Sequence, residues 1–316
     1  MAELKDLIIG NNTISPGTNI ALNLPVGKLP VGHRIYIKVN VYYSTKPGPV
    51  VLFMAGLHGD EINGVETLKR AISSGVFNHL EGGAVVAVSL INVYGFINFS
   101  RDLPDGKDVN RSFPGNSNGS LAARIAAVVS KKILPAVDFG VDFHTGAANR
   151  YNYPQVRYNT GDAASMALAE VFNPPVMFAQ NTIAKSFRKI AKSMGKPMLV
   201  YEGGEALRLD EYSINMALEG IKNLLIFHQM IKEEQSFRES LHFERTSWMR
   251  ASQAGIFTCF SQSGQYIQKG VPIGSISDPF GDQMHIVAAP KDGFIIGHNN
   301  IAVVNQGDAL FHIAYH

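Results

Sequence analysis

Four short segments of the chain carry residues whose types and spacing suit hydrolysis. In Gly56-Leu57-His58-Gly59-Asp60-Glu61 an imidazole and a carboxylate lie three residues apart. Side chains at that spacing can face the same way in a turn, and both are good zinc ligands. A loop His beside a helix-capping Glu would carry the same letters. Val141-Asp142-Phe143-His144-Thr145-Gly146 supplies a second His, with Asp142 on the same strand face and able to support it. His58, Glu61 and His144 together make a three-donor set with one position left for water, as hydrolytic zinc requires. In Asp108-Val109-Asn110-Arg111-Ser112-Phe113, downstream of Arg101-Asp102, an Arg fork beside an Asn amide suits a carboxylate. Leu199-Val200-Tyr201-Glu202 ends an apolar run in a carboxylate that could serve as general base and then acid. Glu205, close behind, is its rival.

These groups need elements to hold them. Arg34–Tyr43 alternates apolar and polar residues, the pattern of a half-buried strand, and Val50–Ala55 is continuously apolar, as a covered central strand is. Glu61–Ser74 has helical apolar spacing. Further strands are expected over 84–92, 137–144 and 197–201, and helices over 121–134, 163–172, 182–194 and 211–231. Strands alternating with helices make an α/β layer fold. His58 and His144 then both stand at strand C-termini, the edge where such sheets place their sites. Lys185, Arg188, Lys189 and Lys192 recur at helical spacing and read as a solvated face.

After Glu234 the pattern changes to short β-like runs divided by Gly and Asp-Gly turns, which predicts a small β-barrel or sandwich. The expected domains are 1–236, catalytic, and 237–316, all-β. Trp248 reads as core or interface, and Cys259, in an apolar strand, as an inert buried thiol.

The 316 residues are 46% hydrophobic and 17% charged, which excludes disorder. A net charge of +2 gives no footprint for nucleic acid or an acidic membrane surface. With one cysteine, neither an internal disulfide nor a Cys-based zinc site can form, so a metal must be held by His, Asp and Glu. Met1–Asp6 mixes both charge signs without a signal-peptide core, and no apolar run approaches membrane-spanning length. The cytoplasm is the expected location.

In order, HGDE, an Arg, DVNR, DFHTG and a late strand ending in Glu resemble the zinc carboxypeptidase fold, and more closely the succinylglutamate desuccinylase/aspartoacylase family, over roughly residues 30–235. The resemblance implies a mixed sheet flanked by helices and one zinc per chain on His58, Glu61 and His144. It implies that Asp108 supports the first His, that Arg101 polarises the scissile carbonyl, and that Asn110 and Arg111 bind a substrate carboxylate. Glu202 matches the family's late-strand Glu. Where the family often has Asn-Pro, this chain has Asn92-Val93, and Val109 replaces a Leu. The implied activity is removal of an acyl group from an N-acyl amino acid or similar small amine. Action on small peptides, as a zinc carboxypeptidase, is the alternative. A homo-oligomer is compatible with such hydrolases. The C-terminal part is similar to the barrel-sandwich hybrid of biotinyl and lipoyl carriers, but Pro279–Met284 offers no Lys at the expected hairpin tip.

Overall fold

Runs of apolar residues become the centre of one large sheet. In chain order the elements are β1 (Leu7–Ile9), β2 (Asn12–Ile14), β3 (Asn19–Lys28), β4 (Arg34–Tyr43), β5 (Val50–Ala55), α1 (Ile62–Ser73), β6 (Ala84–Val88), α2 (Val93–Ile97), α3 (Leu121–Val128), β7 (Phe139–Gly146), β8 (Arg150–Asn159), α4 (Ala163–Phe172), β9 (Val176–Gln180), α5 (Phe187–Ser193), β10 (Met198–Glu205) and α6 (Glu211–Phe227). Nine shorter strands follow: β11 (Leu241–Phe243), β12 (Arg245–Arg250), β13 (Gly255–Cys259), β14 (Tyr266–Ile267), β15 (Pro272–Ser277), β16 (Met284–Ala288), β17 (Gly293–Asn299), β18 (Val303–Val304) and β19 (Ala309–Tyr315). The structure, a computed structural model, describes residues 4–147, 149–235 and 237–316. The start of the N-terminal hexapeptide and the boundary expected at residue 236 lie outside them.

β5, β7 and β10 run parallel side by side, with β6 parallel on the far side of β5, while β3 and β4 close that edge antiparallel. All eight residues of β7 are buried, which is why a run with so little alternation forms a strand covered on both faces. Separate apolar clusters fill the two faces. One, around Ile37, Leu52, Val129 and Ile133, lies under α3; the other, around Phe53, Phe143, Phe172 and Leu224, lies under α1, α4 and α6. No helix among the described residues is long and apolar enough to cross a membrane.

Some bounds differ from expectation for local reasons. The strand expected over 84–92 stops at Val88, and the one expected over 197–201 runs on through Glu205. The helix expected from residue 182 starts only at Phe187, because Ser186 caps it, its Oγ accepting from Lys189 N at 3.2 Å. Before residue 235, β1, β2, β3, α2, β8 and β9 have no counterpart among the expected elements. Cys259 is exposed, not buried, because it ends β13 of a second, four-stranded sheet, where the last two residues are both exposed.

The C-terminal strands do more than form that second sheet. β17 pairs antiparallel with β8, and β19 and β12 extend the large sheet beyond it, to 13 strands in all. An apolar cluster of Val176, Phe178, Phe243, Phe294, Ile296 and Ala314 fills the seam. The turn between β15 and β16 is tied by Asp278, which accepts from Phe280 N at 2.8 Å. Lys291, between β16 and β17, has its Nζ 3.6 Å from the centre of the Tyr315 ring and is not in that turn.

Candidate active site

The C-terminal ends of β5, β7 and β10 open into a cavity of about 220 Å³. The chain leaves β5 through Gly56, whose φ of +62° suits glycine. Gly59 presses against the backbone of Gly95, where a Cβ would meet the carbonyl carbon at 2.0 Å. That close approach folds His58 and Glu61 inward. Glu61 precedes α1 but makes no side-chain cap hydrogen bond, so the helix-capping reading of this residue fails.

His58, Glu61 and His144 are all buried, and one donor atom from each lies within 4.8 Å of the others. His58 Nδ1 is 2.7 Å from Glu61 Oε1, His144 Nδ1 is 2.7 Å from Glu61 Oε2, and the two Nδ1 atoms are 3.2 Å apart. The outer nitrogens face carboxylates: His144 Nε2 donates to Asp142 Oδ2 at 2.8 Å, and His58 Nε2 lies 3.3 Å from Asp108 Oδ1. An imidazole that gives its Nε2 proton outward presents a lone pair inward. Both lone pairs then point at a carboxylate, which demands a cation or extra protons between them. Ligands of a tetrahedral zinc at about 2.0–2.1 Å stand about 3.3 Å apart, close to the 3.2 Å between the two Nδ1 atoms, so the imidazole pair suits that ion, and carboxylates behind ligand imidazoles are its usual support.

The electrostatics agree. Burial opposes charge on His144, but Asp142 and Glu61 outweigh it and hold its pKa well above the ordinary value. Burial likewise opposes charge on Glu61, and the two imidazoles outweigh it, holding this carboxyl well below its usual range. Asp108 is also held low, against burial, by His58 and Arg101.

Arg101 reaches the same floor. Its Nη1 lies 3.2 Å from both Glu61 Oε1 and His58 Nδ1, and its Nη2 donates to Asp108 Oδ2 at 2.9 Å. Asn92 steadies its backbone, donating to the Arg101 carbonyl at 3.2 Å while capping α2. Asn110 lines the cavity with its Oδ1 accepting from Phe187 N at 2.9 Å, which leaves its amide protons to donate. Arg111 also lines it, half-exposed and 4.0 Å from Asp108.

Glu202 and Glu205 separate. Glu202 pairs with His144 in the β10–β7 register and lines the cavity with Val200, two residues before it. The register then slips, and Glu205, outside the cavity lining, accepts from Asn300 Nδ2 at 2.7 Å.

The opposite wall comes from residues outside the expected site set. Arg157 Nη1 lies 3.0 Å from Glu202 Oε1, and Asn152 Nδ2 donates to Glu202 Oε2 at 2.7 Å. Arg188 is not on a solvated face: it is 6% exposed and lines the cavity. Its guanidinium donates to three neutral oxygens, those of Tyr158, Gln180 and Asn181, and among the described residues it has no carboxylate partner. Burial, and then the neighbouring Arg157, push its pKa down to about 10. Trp248 of β12 also lines the cavity, stacked on His312 at 4.4 Å with Arg150 over its ring. The alternation Arg150-Tyr151-Asn152-Tyr153 was a legible strand signal, obscured by the Pro154 that follows.

The fold and site define a mixed α/β architecture with a buried His-Glu-His cluster, and comparison with known proteins agrees. The catalytic-domain model of the succinylglutamate desuccinylase/aspartoacylase family matches residues 47–228, and the chain belongs to that family of deacylases. It is 24% identical over 282 residues, 84% of this chain and 82% of the other, to the N-alpha-acetyl-L-2,4-diaminobutyric acid deacetylase of Halomonas elongata. Its fold is similar to that of the ectoine utilization protein EutE (DoeB) from Ruegeria pomeroyi, solved with product bound, with a TM-score of 0.85 and 22% identity covering 99% of this chain and 100% of that one. A succinylglutamate desuccinylase/aspartoacylase from Rhodobacter sphaeroides gives a TM-score of 0.83 at 22% identity, covering 94% and 95%.

Proposed function

We propose that this chain is a zinc-dependent hydrolase that removes the acyl group from a small N-acyl amino acid. The observation that carries this reading is the inward-facing His58–Glu61–His144 donor set in one cavity with Glu202 and Arg101. Zinc, when held there, supplies Lewis acidity to a carbonyl and makes water acidic enough to attack near neutral pH.

The chain's own groups do the rest. Glu202 accepts the proton of the attacking water on its carboxylate and returns it to the departing amine nitrogen. Arg101 donates to the scissile carbonyl oxygen as negative charge builds there. The free amide protons of Asn110 and the Arg111 fork take the substrate carboxylate and so fix the register of the scissile bond. Arg188, a buried cation without a carboxylate partner among the described residues, gives a second place for an acid group. Asp108 and Asp142 hold the two imidazoles with their lone pairs inward.

A cavity of about 220 Å³ suits an acylated amino acid better than an extended peptide. The test is a panel on zinc-loaded protein: N-acetyl-L-aspartate, N-succinyl-L-glutamate, N-alpha-acetyl-L-2,4-diaminobutyric acid, neutral N-acetyl amino acids and dipeptides. Release of free amine from N-acyl acids, with about one zinc per chain, is expected. Turnover of dipeptides alone would move the reading to a carboxypeptidase, and absence of bound zinc after loading would overturn it.

A further inference from the structure

Both oxygens of Glu202 are occupied by side chains of one strand, β8, and the way β8 is built shows what that arrangement depends on. Asn152 and Arg157 are five residues apart, so a regular strand would send them to opposite faces. They reach the same carboxylate because β8 slips by one residue against β10: Glu202 pairs with Gln155, but Gly204 pairs with Asn152. Pro154 lies in the slip, where a residue without an N–H is tolerated. The slip is also where β8 changes its other partner. Gln155–Asn159 pairs with β9, whereas Arg150–Asn152 pairs with β17.

The C-terminal strands back both residues. Gly297 of β17 pairs with Asn152, and a Cβ at Gly297 would meet Asn152 Oδ1 at 2.9 Å and His312 Cβ at 3.3 Å. The Arg157 guanidinium lies over the Phe178 ring at 5.8 Å, and Phe178 meets His312 of β19 edge-on. His312 is itself pinned under Trp248. The Arg157 Nε is buried and has no hydrogen-bond partner, so the Glu202 contact is the polar anchor of this guanidinium among the described residues.

We infer that Asn152 and Arg157 are positioning residues for Glu202, and that the strands of residues 293–315 hold them in place. The C-terminal part thus acts on the chemical step through β8. This rests on the reading of Glu202 as the base, and the experiment keeps the two apart.

Arg157→Met, Asn152→Ala and Gly297→Ala are made singly in the zinc-loaded full chain, with the N-acyl acid that the panel selects as substrate. Arg157→Met and Asn152→Ala are each expected to lower kcat ~10- to 100-fold, the range for a displaced catalytic group. KM should stay within about threefold, bound zinc should be unchanged, and Arg157→Lys should recover part of the loss. Gly297→Ala touches no substrate and should lower kcat ~3- to 10-fold by crowding the Asn152 amide. Each variant is then combined with Glu202→Gln. A residue that acts through Glu202 has no further effect once Glu202 is gone, whereas a merely structural residue still lowers activity.

Full additivity in these double variants, or wild-type kcat in both Arg157→Met and Asn152→Ala, would overturn the inference while leaving Glu202 as the base. Wild-type kcat in Glu202→Gln alone would remove the base reading and the inference with it. If Arg157→Met fails to fold, Asn152→Ala and Gly297→Ala carry the same cycle.

Discussion

The two walls of the cavity are built differently. The wall carrying His58, Glu61, Asp108 and His144 is assembled from short contiguous motifs, at strand ends for His58, Glu61 and His144 and at a single tight turn for Asp108, each folded by its own local backbone. The facing wall, with Asn152, Arg157, Arg188 and Trp248, is assembled from single residues on elements that meet only in the finished sheet. The lesson is that the His-Glu-His cluster is drawn from short contiguous motifs, whereas the groups around Glu202 are gathered from elements far apart in sequence.

The largest expected effect breaks the local wall. His144→Ala removes one of three donors and leaves Asp142 facing a void, so it should lose most of the zinc and nearly all turnover, read by metal analysis and amine release. Glu202→Gln should keep zinc and substrate binding and lose at least ~10²-fold in kcat. If Glu205→Gln does this instead, the difference between the two walls is wrongly drawn at β10.

Arg188→Met tests the long-range wall directly. Loss of a charged hydrogen-bond donor of ~1.5–3 kcal/mol predicts a ~10- to 100-fold fall in kcat/KM on substrates with two acid groups. A smaller fall is expected for those with one. Equal losses on both would show that Arg188 is structural. Arg111→Lys should also be impaired, because a point charge does not replace a fork.

The smallest effect is on stability. Burial, and then Arg157, hold the His312 imidazole down at about 3, whereas an unfolded His titrates near ~6.5. Between those values the unfolded chain binds a proton that the folded chain refuses, so stability falls as pH drops from ~6.5 toward 3 and is unaffected above that window. His312→Phe should flatten the part of the Tm-against-pH curve between pH 7 and 5 relative to the parent. An unchanged slope would show that His312 is not the group refusing the proton.

This contrast also explains what could be read in advance. The strand-end placement of His58 and His144 was legible because the apolar run Val50–Ala55 ends just before the first and the strand expected over 137–144 ends at the second. Trp248, read as core or interface, lines the cavity, because its role depends on which strand it is laid beside. Arg188 looked solvated because helical spacing shows which residues share a face and not what that face meets. β8 was obscured because Pro154 interrupts its alternation, and the register slip at the same place brings Asn152 and Arg157 to one side.

The seam between β8 and β17 has a consequence for the order of biogenesis. Domains emerge from the ribosome N-terminal end first, and His58, Glu61, His144 and Glu202 are all synthesised before β17. A nascent chain can therefore hold the His58, Glu61 and His144 donors proposed for the metal while β8 still lacks the neighbour that steadies it. On this account metal capture precedes catalytic competence, and hydrolysis switches on only when the last strands have been made and paired.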